Sequence, residues 1–157
     1  MSSYEVITPP PVRQLIEALA GKRAGYRDVH AKLARDPCSD DLGAYRLSGP
    51  LEPIVCGVHL KRGYRLAFTM QPPEKKGGRD RVVVLYVGKR EPRHGNTDIW
   101  NVLHGLFGVS NPPDNHQKPK CCETDRPQIG DDELDAFVKA VRGFTRKTRP
   151  RTKGRRG

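Results

Sequence analysis

Hydrophobic and polar positions alternate most regularly between residues 55 and 87, and the alternation predicts three strands. In the first, residues 55–60, Cys56, Val58 and Leu60 oppose Gly57, His59 and Lys61. In the second, residues 64–70, Tyr64, Leu66, Phe68 and Met70 share one face, and Arg65, Ala67 and Thr69 the other. Lys61-Arg62-Gly63 is short enough to turn a hairpin. A longer loop over 71–80, with Pro-Pro and Gly-Gly pairs, leads into a third strand over 81–87. Pairing that buries the large apolar set leaves His59 and Arg65 together on an open face. Arg90 follows the third strand and stands at its mouth. Such a cationic face on a rigid sheet suits a phosphate backbone.

The flanking segments change period. Residues 4–8 read as a short strand that the prolines at 9–11 end, and Pro is tolerated in the first turn of the helix that follows. Val12, Leu15, Ile16 and Leu19 repeat at helical spacing, as do Tyr26, Val29, His30 and Leu33 after a turn bracketed by Gly21 and Gly25. Pro37 ends the second helix, and residues 36–43 form a polar loop into the sheet. The two helices are expected to pair antiparallel and lay their apolar faces on the sheet, with His30 as a packing residue.

Beyond the loop at 91–96, Thr97 is the expected N-cap of a helix, and Asp98 in its first turn suits the helix dipole. Ile99, Val102, Leu103 and Leu106 line its apolar stripe, bordered by Trp100 and Phe107, and Gly108 stops it. Residues 110–130 are Pro-rich, a linker or a strap across the surface. Residues 131–144 form a last helix, with Leu134, Phe137, Val138 and Val141 spaced to dock on the core or to meet a partner. The expected fold class is α+β. Residues 1–108 make the main domain, 109–130 the linker or strap, 131–145 the final helix and 146–157 a basic disordered tail.

Composition bounds this picture. A chain of 157 residues is one domain, and 35% hydrophobic residues with a mean hydropathy of -0.71 imply a modest core. The longest apolar run, 82–87, is too short to span a membrane. Glu5 and three prolines stand where a signal peptide needs an apolar stretch, so a cytoplasmic location is expected. Of the net charge of +11, seven basic residues lie in 146–157 without an acid; the remainder carries 22 basic against 18 acidic residues, or +4. The tail is either a nucleic-acid contact or a solubilising end. Cys38, Cys56, Cys121 and Cys122 do not look like a secreted-type disulfide framework. Cys56 reads as a small buried hydrophobe. Cys121 and Cys122 read as reduced thiols in a loop; with His116 they would make half a metal site at a spacing that fits no zinc pattern.

Leu47-Ser48-Gly49, Gly63-Tyr64-Arg65-Leu66 and Val87-Gly88-Lys89-Arg90-Glu91, in that order behind a helical hairpin, resemble the RelE/ParE superfamily of bacterial toxins, its RelE branch above all. The resemblance covers roughly residues 4–107. It implies an N-terminal strand and two-helix hairpin packed on a three-stranded antiparallel meander. It also implies a ribosome-dependent mRNA endoribonuclease that needs no metal or other cofactor, in which the ribose 2′-hydroxyl attacks the adjacent phosphorus. Its partners would be the ribosome, mRNA and a cognate antitoxin whose acidic segment covers the cationic face, with no membrane involved.

Such a reaction needs a base, a proton donor and positive charge on the phosphorane. By the resemblance Arg65 holds the phosphate, and Arg90 sits by the leaving group. Arg65 could otherwise simply cover the sheet face. Lys61, Arg62 and Lys89 are expected RNA contacts, with Lys89 on the opposite face. Two lysines frequent in the family fall on Gly57 and His59, and the position of a common tyrosine falls nearest Trp100. Trp100 cannot be a base, but could stack on an mRNA base. His59 and His94 are therefore the candidate general bases, His59 first because it shares the Arg65 face, and His104 flanks Trp100. A ParE-like gyrase inhibitor and an inactive nucleic-acid-binding module of the same fold are the competing readings.

Overall fold

The computed structural model of the chain describes residues 4–19, 25–91, 97–111, 119–123 and 125–148. Its strands are β1 (Glu5–Ile7), β2 (Tyr45–Arg46), β3 (Cys56–His59), β4 (Tyr64–Gln71) and β5 (Arg81–Lys89). Its helices are α1 (Pro10–Leu19), α2 (Tyr26–Arg35), α3 (Ile99–Phe107) and α4 (Asp131–Thr148). Together they make an α+β fold with one mixed sheet in the order β1-β5-β4-β3-β2. β1 joins β5 in parallel, and β2, β3, β4 and β5 are antiparallel neighbours.

The β3–β4 connection is a 3-10 turn, Lys61–Gly63, in which Arg62 takes a positive φ of 59° and Gly63 one of 81°. Gly63 suits that backbone; Arg62 bears the strain. Backbone pairing puts Val58 against Leu66 and Leu66 against Val87 on one face, and His59 against Arg65 and Arg65 against Gly88 on the other. A β-bulge interrupts the β4–β5 ladder: Ala67 faces Tyr86 and Phe68 faces Val84, leaving Leu85 between them. Strict alternation along β5 therefore fails. Residues 82–87 are buried throughout because both faces of the strand are covered.

Val12, Leu15 and Ile16 of α1 and Leu33 of α2 enter the core. α1 packs on β5 and α4, and α2 on β1, where Ala34 O accepts from Tyr4 N at 3.0 Å. α3 starts one residue later than its expected cap: Asp98, not Thr97, is the N-cap, and its carboxylate accepts from Trp100 N. α3 ends at Gly108 with φ 73°. α4 docks through Phe137 and Val141, both 0–1% exposed, with Phe137 stacked on Phe107 at 4.5 Å and Phe144 edge-on to Tyr86.

The cysteines overturn the expectation of free thiols. Cys38 bonds Cys122 and Cys56 bonds Cys121, with Cα separations of 5.5 and 5.7 Å. Both pairs lie within ordinary disulfide reach. Sequence distance hid them, since the partners stand 84 and 65 residues apart. The half-site with His116 fails with them, as Cys121 and Cys122 are spent on disulfides and His116 lies outside the described residues.

The described part of the strap runs along the free edge of β2. Arg46 N donates to Pro119 O at 2.8 Å, Cys121 N to Ala44 O at 3.0 Å, and Tyr45 bridges Lys120. Arg46, 5% exposed, spends its guanidinium on the carbonyls of Glu52, Cys121 and Asp125. Further on, Ile129 N donates to Met70 O. The strap thus satisfies an edge that would otherwise present unpaired backbone. Among the described residues no helix is long and apolar enough to cross a membrane. The expected tail lies outside them, apart from the end of α4.

Candidate functional site

Two rows of residues run across one sheet face. The first is Tyr45, Gly57, Ala67 and Tyr86, each opposed to the next in register. The second, one pleat on, is His59, Arg65 and Gly88. Paired residues share a face, so Tyr45, His59 and Arg65 are neighbours by construction. The Tyr45 ring stands edge-on to His59 at 5.5 Å and edge-on to Trp100 at 6.2 Å.

This face was expected to be open, and most of it is not. An added Cβ at Gly57 would lie 2.9 Å from both Trp100 Cη2 and Tyr45 Cζ. One at Gly88 would lie 3.3 Å from Ile99 Cβ. The start of α3 therefore closes over the sheet, and the lack of side chains at Gly57 and Gly88 lets it approach. Trp100 is 6% exposed, so its ring is packed over Gly57 and has no face left to stack on an mRNA base. The role expected of Trp100 as an RNA contact is replaced by one in the core. Gly57 cannot host a lysine because two aromatic rings already fill that space.

What stays accessible is the rim, where His59, Lys61, Arg62 and Lys89 are exposed and Arg65 and Arg90 half-buried. Arg65 Nη1 donates to Tyr64 O at 3.1 Å, and the guanidinium lies near enough to the Tyr45 phenol to act on it by charge and by hydrogen bonding. Arg90 is fixed differently. Its Nη1 donates to Asp98 Oδ1 at 2.6 Å, and Asp98, 1% exposed, accepts from Glu91 N and Trp100 N as well. Lys89 is opposed to Tyr64, on the other face from Arg65. His94 lies outside the described residues.

Burial pushes the Tyr45 phenol up to about 12, and the charges of Arg65 and Arg90 offset only part of that effect. Tyr45 is therefore a neutral, protonated hydroxyl at neutral pH. His104, 3% exposed, places Nδ1 2.6 Å from Trp100 O, and its pKa is lowered by burial. It serves the α3 backbone behind the site and does not reach the rim.

The arrangement brings together a fixed guanidinium, a second one held by a buried carboxylate, an imidazole and a phenol. Tyr45 and Asp98 are the members that the residue pattern did not single out. Tyr45 lies outside the alternating segment, on a two-residue strand, and the only signal was its place before Leu47-Ser48-Gly49. Asp98 was read as a helix-dipole residue when it is also the counter-ion of Arg90. Among the described residues no group of three or more His, Cys, Asp or Glu side chains could hold a metal ion. No protein-family model, curated protein or solved structure matches the chain.

Proposed function

We propose that the chain is a toxin of the RelE-like kind, an endoribonuclease that cleaves mRNA by attack of the 2′-hydroxyl on the adjacent phosphate. The observation that carries this reading is the register pairing of His59 with Arg65, with Arg90 at the same end of the sheet. Arg65 holds the scissile phosphate, and His59 takes the 2′-hydroxyl proton. As the P–O2′ bond forms the P–O5′ bond breaks, and Arg90 faces the leaving 5′-oxygen and neutralises its developing charge until it takes a proton from water. Lys61 and Arg62 on the turn guide the RNA backbone. Support for a RelE-like arrangement comes from the motif order and from a helical pair leading into antiparallel β3, β4 and β5 with β1 beside β5. The partners on this reading are the translating ribosome with its mRNA, and an antitoxin with an acidic segment for the rim; the cell compartment is the cytoplasm.

The test is growth on induced expression of the wild type and Arg65→Ala, with primer-extension mapping of mRNA ends. Growth arrest with translation-dependent cuts, all lost in Arg65→Ala, is the expected outcome. Arrest without cuts would move the target to a gyrase-type protein, and healthy growth with both would leave an inactive binding module.

The two disulfides favour a second reading of the same site. Disulfides persist in oxidising compartments and are rare in the cytoplasm. On that reading the protein cuts free RNA outside the cytoplasm and needs no ribosome. Purified, oxidised protein that cleaves a naked oligoribonucleotide would favour it over the ribosome-dependent one.

A further inference from the structure

Arg65 and Arg90 carry the same charge but are held in opposite ways. Arg90 is tied at 2.6 Å to a buried carboxylate, which offsets part of its charge. Among the described residues, the contacts that hold Arg65 are a backbone carbonyl and a phenol, both neutral. They orient the guanidinium and leave its charge intact. The difference matters for an anionic ligand: a carboxylate partner would compete with a phosphate for the same donors, and a neutral acceptor does not.

Tyr45 is held in turn by its surroundings. Its residue is 8% exposed, and its ring lies between Gly57, His59 and Trp100. A phenol in such a slot has almost no rotamer freedom, so it fixes whatever hydrogen-bonds its oxygen. The same ring packs edge-on against the imidazole of His59, so one side chain sets two groups of the site.

We propose that Tyr45 is a positioning residue for the phosphate site: its hydroxyl accepts from Arg65 and aims the guanidinium, still fully charged, at an RNA phosphodiester, while its ring sets the His59 imidazole. This rests on the reading of the rim as an RNA-cleaving site. Tyr45 gives up no proton in the reaction. Burial holds its phenol protonated across the working range, and its oxygen is already engaged by Arg65. The role also explains why this chain has Gly57: a side chain there would displace the ring that carries the hydroxyl. The rim thereby gains an orienting group from β2 that the sheet motifs of β3 to β5 do not contain.

The experiment is a double-mutant cycle on the full chain with Tyr45→Phe, Arg65→Ala and the double variant. Binding is read by fluorescence anisotropy with an oligoribonucleotide made non-cleavable by 2′-deoxy substitution at the scissile nucleotide. Cutting in cells is read by primer extension. Tyr45→Phe keeps the ring and removes only the hydroxyl, so its thermal midpoint should stay within a few degrees of wild type. The expected result is roughly tenfold weaker binding and a similar loss of cutting in the wild-type background, with no further effect once Arg65 is Ala. The Arg65 Nε–H resonance should sharpen on adding the oligonucleotide in wild type and stay broad in Tyr45→Phe. Wild-type binding and cutting by Tyr45→Phe, with Arg65→Ala inactive, would overturn the proposal and leave the cleavage reading standing. Unchanged behaviour of Arg65→Ala itself would overturn both. An equal loss from Tyr45→Phe in the presence and absence of Arg65 would also overturn it, since Tyr45 would then act independently of Arg65.

Discussion

The Asp98 carboxylate lies 2.6 Å from Arg90 Nη1 and is 1% exposed, whereas the Arg90 side chain keeps 27% of its surface in solvent. One residue therefore caps α3, ties Glu91 N and holds the arginine at the mouth of β5. Removing it strips a helix cap and leaves Arg90 without its counter-ion. Asp98→Ala should lower stability by about 3 kcal/mol, and Asp98→Asn by about 1, because Asn still caps but carries no charge. Urea unfolding with an unchanged slope checks both. Equal losses for the two variants would mean that the ion pair alone, and not the cap, is what Asp98 supplies.

Gly57 sits under two rings, at a distance no real Cβ tolerates. Its need is for space, since no positive φ is involved. Gly57→Ala should destabilise by about 1–3 kcal/mol through overpacking and shift the near-ultraviolet signal of Trp100. Gly57→Lys, with a longer side chain to place under the same rings, should do worse than alanine and not raise activity. A stable, more active Gly57→Lys would show that Tyr45 and Trp100 can leave that space at little cost.

The strands and helices were legible because their signal is local. Alternation over 64–70 and the three- and four-residue spacing of Val12, Leu15 and Ile16 mark faces that the structure buries at Leu66, Phe68, Met70, Val12, Leu15 and Ile16, although Ala67 and Thr69 on the other face of β4 are buried as well. The pairing of His59 with Arg65 was legible too, since a three-residue turn leaves little choice of register. What could not be read depended on contacts distant in sequence. The closure of the face by Ile99 and Trp100 is set by how α3 returns over Gly57 and Gly88. The bulge at Leu85 breaks alternation without any glycine or proline to mark it. The disulfides join segments 65 and 84 residues apart, and two adjacent cysteines give no local sign of which partner each takes.

His104 makes acid sensitivity a property of the fold. Its pKa is lowered from 6.5 by burial, and its Nε2 is buried without a hydrogen-bond partner. The unfolded chain therefore binds a proton at a higher pH than the folded one. Well above 6.5 both states are neutral there and His104 adds no pH dependence; as pH falls through 6.5 the unfolded state takes up the proton first, and stability is lost until the folded state also protonates. His104→Gln should flatten this part of the stability–pH curve while retaining a group that can meet Trp100 O. Urea midpoints measured from pH 7 down to about 5 decide it, and identical slopes for the two proteins would assign the acid loss to other groups.

The two disulfides should differ in what their loss costs. By chain entropy alone, loops of 84 and 65 residues are each worth about 4 kcal/mol, so loop length does not separate them. Burial does. Cys56 is 0% and Cys121 2% exposed, while Cys38 and Cys122 are only half-buried. Replacing the inner pair with serine also buries two hydroxyls where sulfur packed, whereas the outer pair can let water in. The Cys56→Ser/Cys121→Ser variant should therefore lose more than the Cys38→Ser/Cys122→Ser variant, by about 1–3 kcal/mol. Mild reductant should open Cys38–Cys122 first, and alkylation followed by peptide mass mapping reads the order directly. The same map tests the placement of the strap. Cys121 and Cys122 are adjacent, so sliding the strap by one residue along β2 would bring Cys121 to the place of Cys122, opposite Cys38. Recovery of Cys38 joined to Cys121 would overturn the observed register, and with it the burial of Arg46 against the carbonyls of Cys121 and Asp125.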